Sequence, residues 1–135
     1  MILNGIAETC LYATDLEEAE QFYKKVLNLK VVMKEENRHV FFKCGESMLL
    51  VFNPEHTRNK QTDVDGNPVP LHGADGSVHI AFSVDPANFD TVKESIEAKN
   101  ITIESEISWP NQSRSFYFRD PAGNSLEVIT TNMWK

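Results

Sequence analysis

Three side chains stand out by type and position. Glu127 lies in the run Ser-Leu-Glu-Val-Ile-Thr-Thr, directly after Asp-Pro-Ala-Gly-Asn. Pro121 presets φ for the second position of a turn and Gly123 tolerates positive φ, so this segment should join two strands. A glutamate inside a strand is disfavoured, and it is almost never fully buried without a partner. His79 opens the apolar run His-Ile-Ala-Phe-Ser-Val, and Glu8 opens Glu-Thr-Cys-Leu-Tyr. Taken singly, each has an ordinary reading: a solvent-facing strand carboxylate or a satisfied interior histidine. Brought together in a partly dry cleft, two carboxylates and an imidazole repel one another and lose hydration, which forces a proton onto a carboxylate. A divalent cation relieves both costs. Oxygen and imidazole donors suit Zn, Mn, Fe, Co or Ni. Only two cysteines are present and no Cys-x-x-Cys motif, so any metal must be held by His and carboxylates.

An internal repeat supplies the reason to bring them together. The stretch from Glu8 and the stretch from His79 each read as strand, helix, strand. In the first, Thr14 and Glu17 form a capping box, and Ala19, Phe22, Tyr23, Val26 and Leu27 recur at helical spacing up to Asn28. In the second, Asp85 caps, Pro86 takes the first helical position, and Phe89, Val92 and Ile96 form the apolar stripe before Asn100. Three strand-like runs follow each helix: Lys30 to Met33, His39 to Cys44 and Met48 to Phe52, then Ile101 to Ile107, Ser113 to Phe118 and Ser125 to Thr131. The expected fold is α+β, two βαβββ modules in one chain. The boundaries are module 1 at about 4–53, a linker at about 54–76 and module 2 at about 77–132, within a single domain over 1–135. The linker is polar, holds three of the six prolines and three of the six glycines, and reads as a lid or long loop.

Duplicated halves pack about a pseudo-twofold axis, so equivalent positions face each other. The first strands set Glu8 against His79. Anchoring Gly45 on Gly123 sets Leu49 against Glu127. Four positions should therefore converge, three of which can bind a cation. Strand alternation places Ser113, Ser115 and Tyr117 on one face and Arg114, Phe116 and Phe118 on the other. His39 and Phe41 face the site from the first half.

Composition narrows the class. The chain of 135 residues is 41% hydrophobic and 24% charged, enough for a packed core. Its net charge of −7 disfavours nucleic acid and anionic membrane as partners. No signal segment and no bilayer-length apolar run are visible, and two thiols without such a segment indicate a reduced, cytoplasmic setting.

Two βαβββ units, the helix "DLEEAEQFYKKVLNL" and the hairpin "YFRDPAGNSLEV" together resemble the vicinal oxygen chelate superfamily, which includes glyoxalase I, bleomycin-resistance proteins, fosfomycin-resistance enzymes and extradiol dioxygenases. The resemblance covers nearly the whole chain apart from the linker. It implies a curved mixed sheet with a divalent metal in its cleft, held from the first and last strands of each unit. Those strands carry Glu8, His79 and Glu127. Many members have His where Glu8 stands, and four-ligand glyoxalases carry a carboxylate where Leu49 stands, so a standard four-ligand glyoxalase I is not expected. Tyr117 matches a substrate-binding tyrosine of the dioxygenases and is a candidate catalytic donor. His39 is a candidate proton shuttle. Tyr12, Phe41, Leu49, His72, Trp109 and Ser115 are candidate substrate-lining residues. The implied function is a metal-dependent enzyme acting on a small substrate with adjacent oxygens, by lyase or isomerase, dioxygenase or thiol-transfer chemistry, and working as a homodimer. The alternative is a metal-free drug-binding protein of the bleomycin-resistance type, which the net charge and Trp109 fit.

Overall fold

Asp15, not Thr14, starts the first helix. Its side chain accepts a hydrogen bond of 3.0 Å from the Glu18 amide, and α1 runs Leu16–Lys25 with Glu17 and Glu18 in its first turn and Lys24 and Lys25 in its last. The expected Thr14–Glu17 box is therefore displaced by one residue. Acidic and basic ends both complement the helix dipole. Asn28 ends the segment at φ 57°, the left-handed conformation anticipated for it.

The computed structural model describes residues 2–135. The chain parts into two compact units between Asp75 and Gly76. In the first unit, β1 (Glu8–Tyr12), α1, β2 (Lys30–Glu35), β3 (His39–Cys44) and β4 (Ser47–Phe52) form a four-stranded sheet of order β1-β4-β3-β2. The β1–β4 pair is parallel and the other pairs are antiparallel. After β4 the first unit continues along the chain with α2 (Pro54–Asn59) and a small hairpin of β5 (Thr62–Val64) and β6 (Asn67–Val69). Asp65 and Gly66 both take positive φ, as a two-residue hairpin turn requires.

The second unit repeats the plan. β7 (His79–Val84), a 3-10 turn at Pro86–Asn88, α3 (Phe89–Glu97), β8 (Ser105–Ser108), β9 (Arg114–Arg119) and β10 (Ser125–Thr130) give the order β7-β10-β9-β8. Asp85 caps the 3-10 turn through the Ala87 amide at 2.9 Å, with Pro86 at its first position. The strand expected from Ile101 begins only at Ser105, although Glu104 already donates to the Tyr117 carbonyl at 2.8 Å. The architecture is thus α+β, two mixed four-stranded sheets and few helices, with both modules in one chain.

One face of each sheet is covered by its helix. In the first unit Tyr23 of α1 meets Phe42 at 5.4 Å between ring centroids, and Phe42, Leu49, Val40, Val51 and Leu11 are all buried. In the second unit Phe89 meets Phe116 at 5.3 Å, beside buried Phe118, Leu126 and Val128. Each such side chain contributes about 1.5–3 kcal/mol by leaving water. Period-two alternation then turns the intervening residues to the opposite face of each sheet, where the candidate functional residues lie. Among the described residues no helix is long and apolar enough to cross a membrane.

Candidate functional site

The Asp-Pro-Ala-Gly-Asn turn is built around Asp120. Its Oδ1 accepts from the Ala122 amide at 3.0 Å and the Asn124 amide at 2.9 Å, while Asn124 Nδ2 donates to Asp120 Oδ2 at 2.9 Å. Asn124 Oδ1 in turn accepts from the Val78 amide at 3.1 Å, so the hairpin is fastened to the start of β7. This fixes the parallel register of β7 with β10, which pairs His79 with Ser125 and Ala81 with Glu127.

In that register His79 reaches both its neighbours. Its Nδ1 donates to the Ser125 carbonyl at 2.9 Å, and its Nε2 stands 3.2 Å from Glu127 Oε1. With a proton on Nδ1, the neutral ring presents the Nε2 lone pair to a carboxylate oxygen. Two lone pairs at that distance need a positive centre between them, either a proton or a metal ion. A histidine tied through one nitrogen to a backbone carbonyl is also the usual arrangement behind a metal ligand. Glu127 is 6% exposed, so its charge is poorly hydrated. These two side chains fit a divalent ion. Among the described residues, no group of three or more His, Cys, Asp or Glu side chains is placed together to hold a metal ion. Glu8 belongs to the first unit.

Tyr117 pairs with Glu127 in the β9–β10 register and its hydroxyl lies 3.5 Å from Ser115 Oγ. Burial first, then the Glu127 carboxylate, push its phenol above the ordinary range, against an opposing hydrogen bond from Ser115. Tyr117 is therefore held as a neutral donor. Trp109 Nε1 donates to Ser115 Oγ at 3.0 Å, which sets Trp109, Ser115, Tyr117, Glu127 and His79 on one face of the second sheet. Arg114 lies on the other, its guanidinium carbon 4.1 Å from the Phe89 ring centroid.

The matching face of the first sheet is aromatic. His39 stacks on Phe41 at 4.0 Å, Phe41 and His39 both meet Phe52 edge-on, and Tyr12 meets Phe52 at 6.5 Å. His72 lies over this group: its Nδ1 shares a hydrogen bond of 2.8 Å with Tyr12 Oη, and its ring meets Phe52 at 4.7 Å. The His72 amide donates to the Thr57 carbonyl, and Arg58 grips Asp75 through two bonds of 3.0 Å, so the segment carrying His72 is pinned at both sides.

The sequence profile of the Glyoxalase/Bleomycin resistance protein/Dioxygenase superfamily matches residues 5–128. The chain belongs to this superfamily. The crystal structure of a lactoylglutathione lyase from Agrobacterium tumefaciens matches with a TM-score of 0.90 at 46% identity, covering 98% of this chain and 97% of that one. Metallothiol transferase FosB of Shouchella clausii (strain KSM-K16) is 28% identical over 132 residues, 96% of this chain and 82% of that protein. Glutathione transferase FosA of Serratia marcescens is 24% identical over 127 residues, 94% of this chain and 81% of that protein.

For this superfamily member one register differs from expectation. Leu49 pairs with Phe42 and is 1% exposed on the face of the first sheet that α1 covers, so it does not share the aromatic face as a substrate-lining residue would. Cys10 pairs with Leu50 as Ala81 pairs with Glu127, which makes Leu50 the counterpart of Glu127. The glycine anchor failed because the turns differ in length: Cys44 pairs with Ser47 across two residues, whereas Arg119 pairs with Ser125 across five. A one-residue slip exchanges the two faces of a strand. Leucine ligates no metal, so either assignment leaves that position without a ligand. The contact of Phe42 with the α1 stripe is the signal that identifies the covered face. Nothing in residue type or spacing marks Phe52, Arg38 or His56: Phe52 is an ordinary strand aromatic, Arg38 a turn residue between β2 and β3, and His56 a residue of a short helix.

Proposed function

We propose that this protein is a divalent-metal-dependent enzyme of the superfamily, acting on a small substrate that carries two adjacent oxygens. The observation that carries the reading is the His79–Glu127 pair, with His79 oriented by the Ser125 carbonyl. Under the proposal Glu8 supplies the third ligand. A bound divalent ion would act there as a Lewis acid on the paired substrate oxygens. The chain's own groups do the rest. Glu127 and His79 contribute one charged and one neutral donor. Tyr117, held neutral, offers its hydroxyl proton to a substrate oxygen beside Glu127. Ser115 and Trp109 bound that oxygen's surroundings, and Tyr12, Phe41 and His72 supply an aromatic wall with one polar edge. His39 is placed here as a polar wall residue or proton carrier.

Likeness to a lactoylglutathione lyase at 46% identity supports lyase or isomerase chemistry. Thiol transfer, named in the two transferases, and dioxygenation remain the other members of the proposed class. Leucine at the counterpart of Glu127 argues for a three-ligand rather than a four-ligand site. Zn, Mn, Fe, Co and Ni all accept this donor set. An anomalous-scattering measurement on crystals grown without chelator tests the reading. A peak bounded by Glu8, His79 and Glu127 supports it and names the metal. The absence of a peak together with tight binding of a cationic drug favours the metal-free alternative, which the net charge of −7 fits. Light scattering on a size-exclusion column tests the homodimer.

A further inference from the structure

The first unit holds a cavity of about 810 Å³ between the start of α1 and the β2–β3 hairpin. Small-molecule pockets run to about 300–1,000 Å³. Five carboxylates line it, Asp15, Glu17 and Glu20 from the helix and Glu35 and Glu36 from the hairpin, against the single ammonium of Lys34. Lys34 is already committed, because its Nζ donates to Glu20 Oε1 at 3.0 Å. Asp15 caps α1 and Glu17 accepts from Gln21, so both have a local role. Glu35 and Glu36 have none: among the described residues no ion pair engages either. The fold does not require acids there. The corresponding β8–β9 connection of the second unit, residues 109–113, carries no charge.

The cavity also holds an unpaired polar group. His39 lines it and is 7% exposed, and its Nε2 has no hydrogen-bond partner. Buried polar atoms are ordinarily paired, so this one calls for a reason. The rest of the ring is occupied. One face stacks on Phe41 at 4.0 Å, Phe52 makes a T-shaped contact at 5.9 Å, and Arg38 Nη1 donates to Nδ1 at 2.7 Å. Guanidinium is only a donor, so the proton of the neutral ring sits on Nε2. The polar atom left to this cavity-lining residue is thus an N–H without an acceptor.

These features select the occupant. Unpaired carboxylates in a cleft favour a cation, and the excess negative charge excludes an anion. A bare metal ion does not fit, since no group of three or more His, Cys, Asp or Glu side chains is placed together to hold one among the described residues. Carboxylates spread over two walls suit an extended organic cation. The His39 N–H needs a lone pair that an ammonium lacks and a hydroxyl supplies. We propose that this cleft binds a small hydroxylated organic amine of the amino-sugar kind, its ammonium between the helix and hairpin carboxylates and a hydroxyl oxygen accepting from His39 Nε2. The site stands on the first unit alone and requires no metal at His79 and Glu127.

The test is amide and imidazole 15N NMR on the intact protein, titrated with glucosamine, glucose, cyclohexylamine, and sodium chloride at matched ionic strength. Saturable displacement of the Glu35, Glu36 and His39 signals by glucosamine is expected, with none by glucose or chloride. Cyclohexylamine, an ammonium without hydroxyls, should bind about fivefold more weakly, the worth of one neutral hydrogen bond. The double variant Glu35→Gln, Glu36→Gln, at two exposed positions, should weaken glucosamine binding by about tenfold. His39→Phe keeps an aromatic ring on Phe41, removes the N–H, and should bring glucosamine down to the affinity of cyclohexylamine. No saturable displacement by glucosamine, an equal response to glucose, chloride or cyclohexylamine, or unchanged affinity in the double variant overturns the proposal. None of these readouts involves metal, so failure here is distinct from failure of the metal reading.

Discussion

The two ring nitrogens of His79 are committed differently: Nδ1 to the Ser125 carbonyl at 2.9 Å and Nε2 to Glu127 Oε1 at 3.2 Å. This pairing follows from a parallel register that a turn side chain, Asn124, holds in place. The hairpin turn therefore has measurable consequences for stability as well as for the metal binding proposed at His79 and Glu127.

Asn124 is 1% exposed and joins the Asp120 carboxylate to the Val78 amide. Asn124→Ala removes the acceptor of Val78 and one donor to a buried carboxylate. It should cost about 2–4 kcal/mol in chemical denaturation, within the range for breaking a buried polar network. A loss below about 0.5 kcal/mol, typical of a surface change, would show that the turn does not fasten β7 to β10.

Tyr117 has its phenol raised above the ordinary value of 10.0 by burial and by Glu127. A raised folded value means stability that is fully present below the unfolded value and lost as pH rises through the folded one. Urea melts of the parent should therefore show a decline in stability above about pH 10 that Tyr117→Phe reduces. Identical alkaline slopes in the two proteins would contradict this placement of the phenol.

His39 is shifted the other way. Burial first, and then the Arg38 charge, lower it from 6.5, with His56 adding to the effect and Glu35 opposing it. A lowered histidine is held neutral, so its contribution is present above the unfolded value and lost as pH falls through the folded one. Stability should drop as pH falls below about 6.5, and His39→Gln should flatten that drop. An unchanged acid profile in His39→Gln would remove His39 from this role.

Much of the fold was legible because the sequence punctuates it. Asn28 and Asn100 sit at φ 57° and 65°, where the helical stripes stop, and Asp85 with Pro86 opens the second helical segment. The two faces of the second sheet were legible too, since alternation alone sends Ser115 and Tyr117 to one face and Phe116 and Phe118 to the other. What escaped were relations set by pairing rather than by pattern. Leu49 and Leu50 are equally apolar, and only the contact of Phe42 with α1 tells which is covered. Thr14 and Asp15 are both good caps, and only backbone geometry chooses between them. The bond from Arg38 to His39, and the carbonyl that orients His79, involve positions whose residue types predict no such role.

The most direct measurement is the divalent-metal content of protein purified without chelator, compared with that of Glu127→Ala. A bound divalent ion is expected in the parent and loss of most of it in the variant, with the fold intact by circular dichroism. A metal-free parent that takes up none of Zn, Mn, Fe, Co or Ni, or a variant that holds as much metal as the parent, would contradict it.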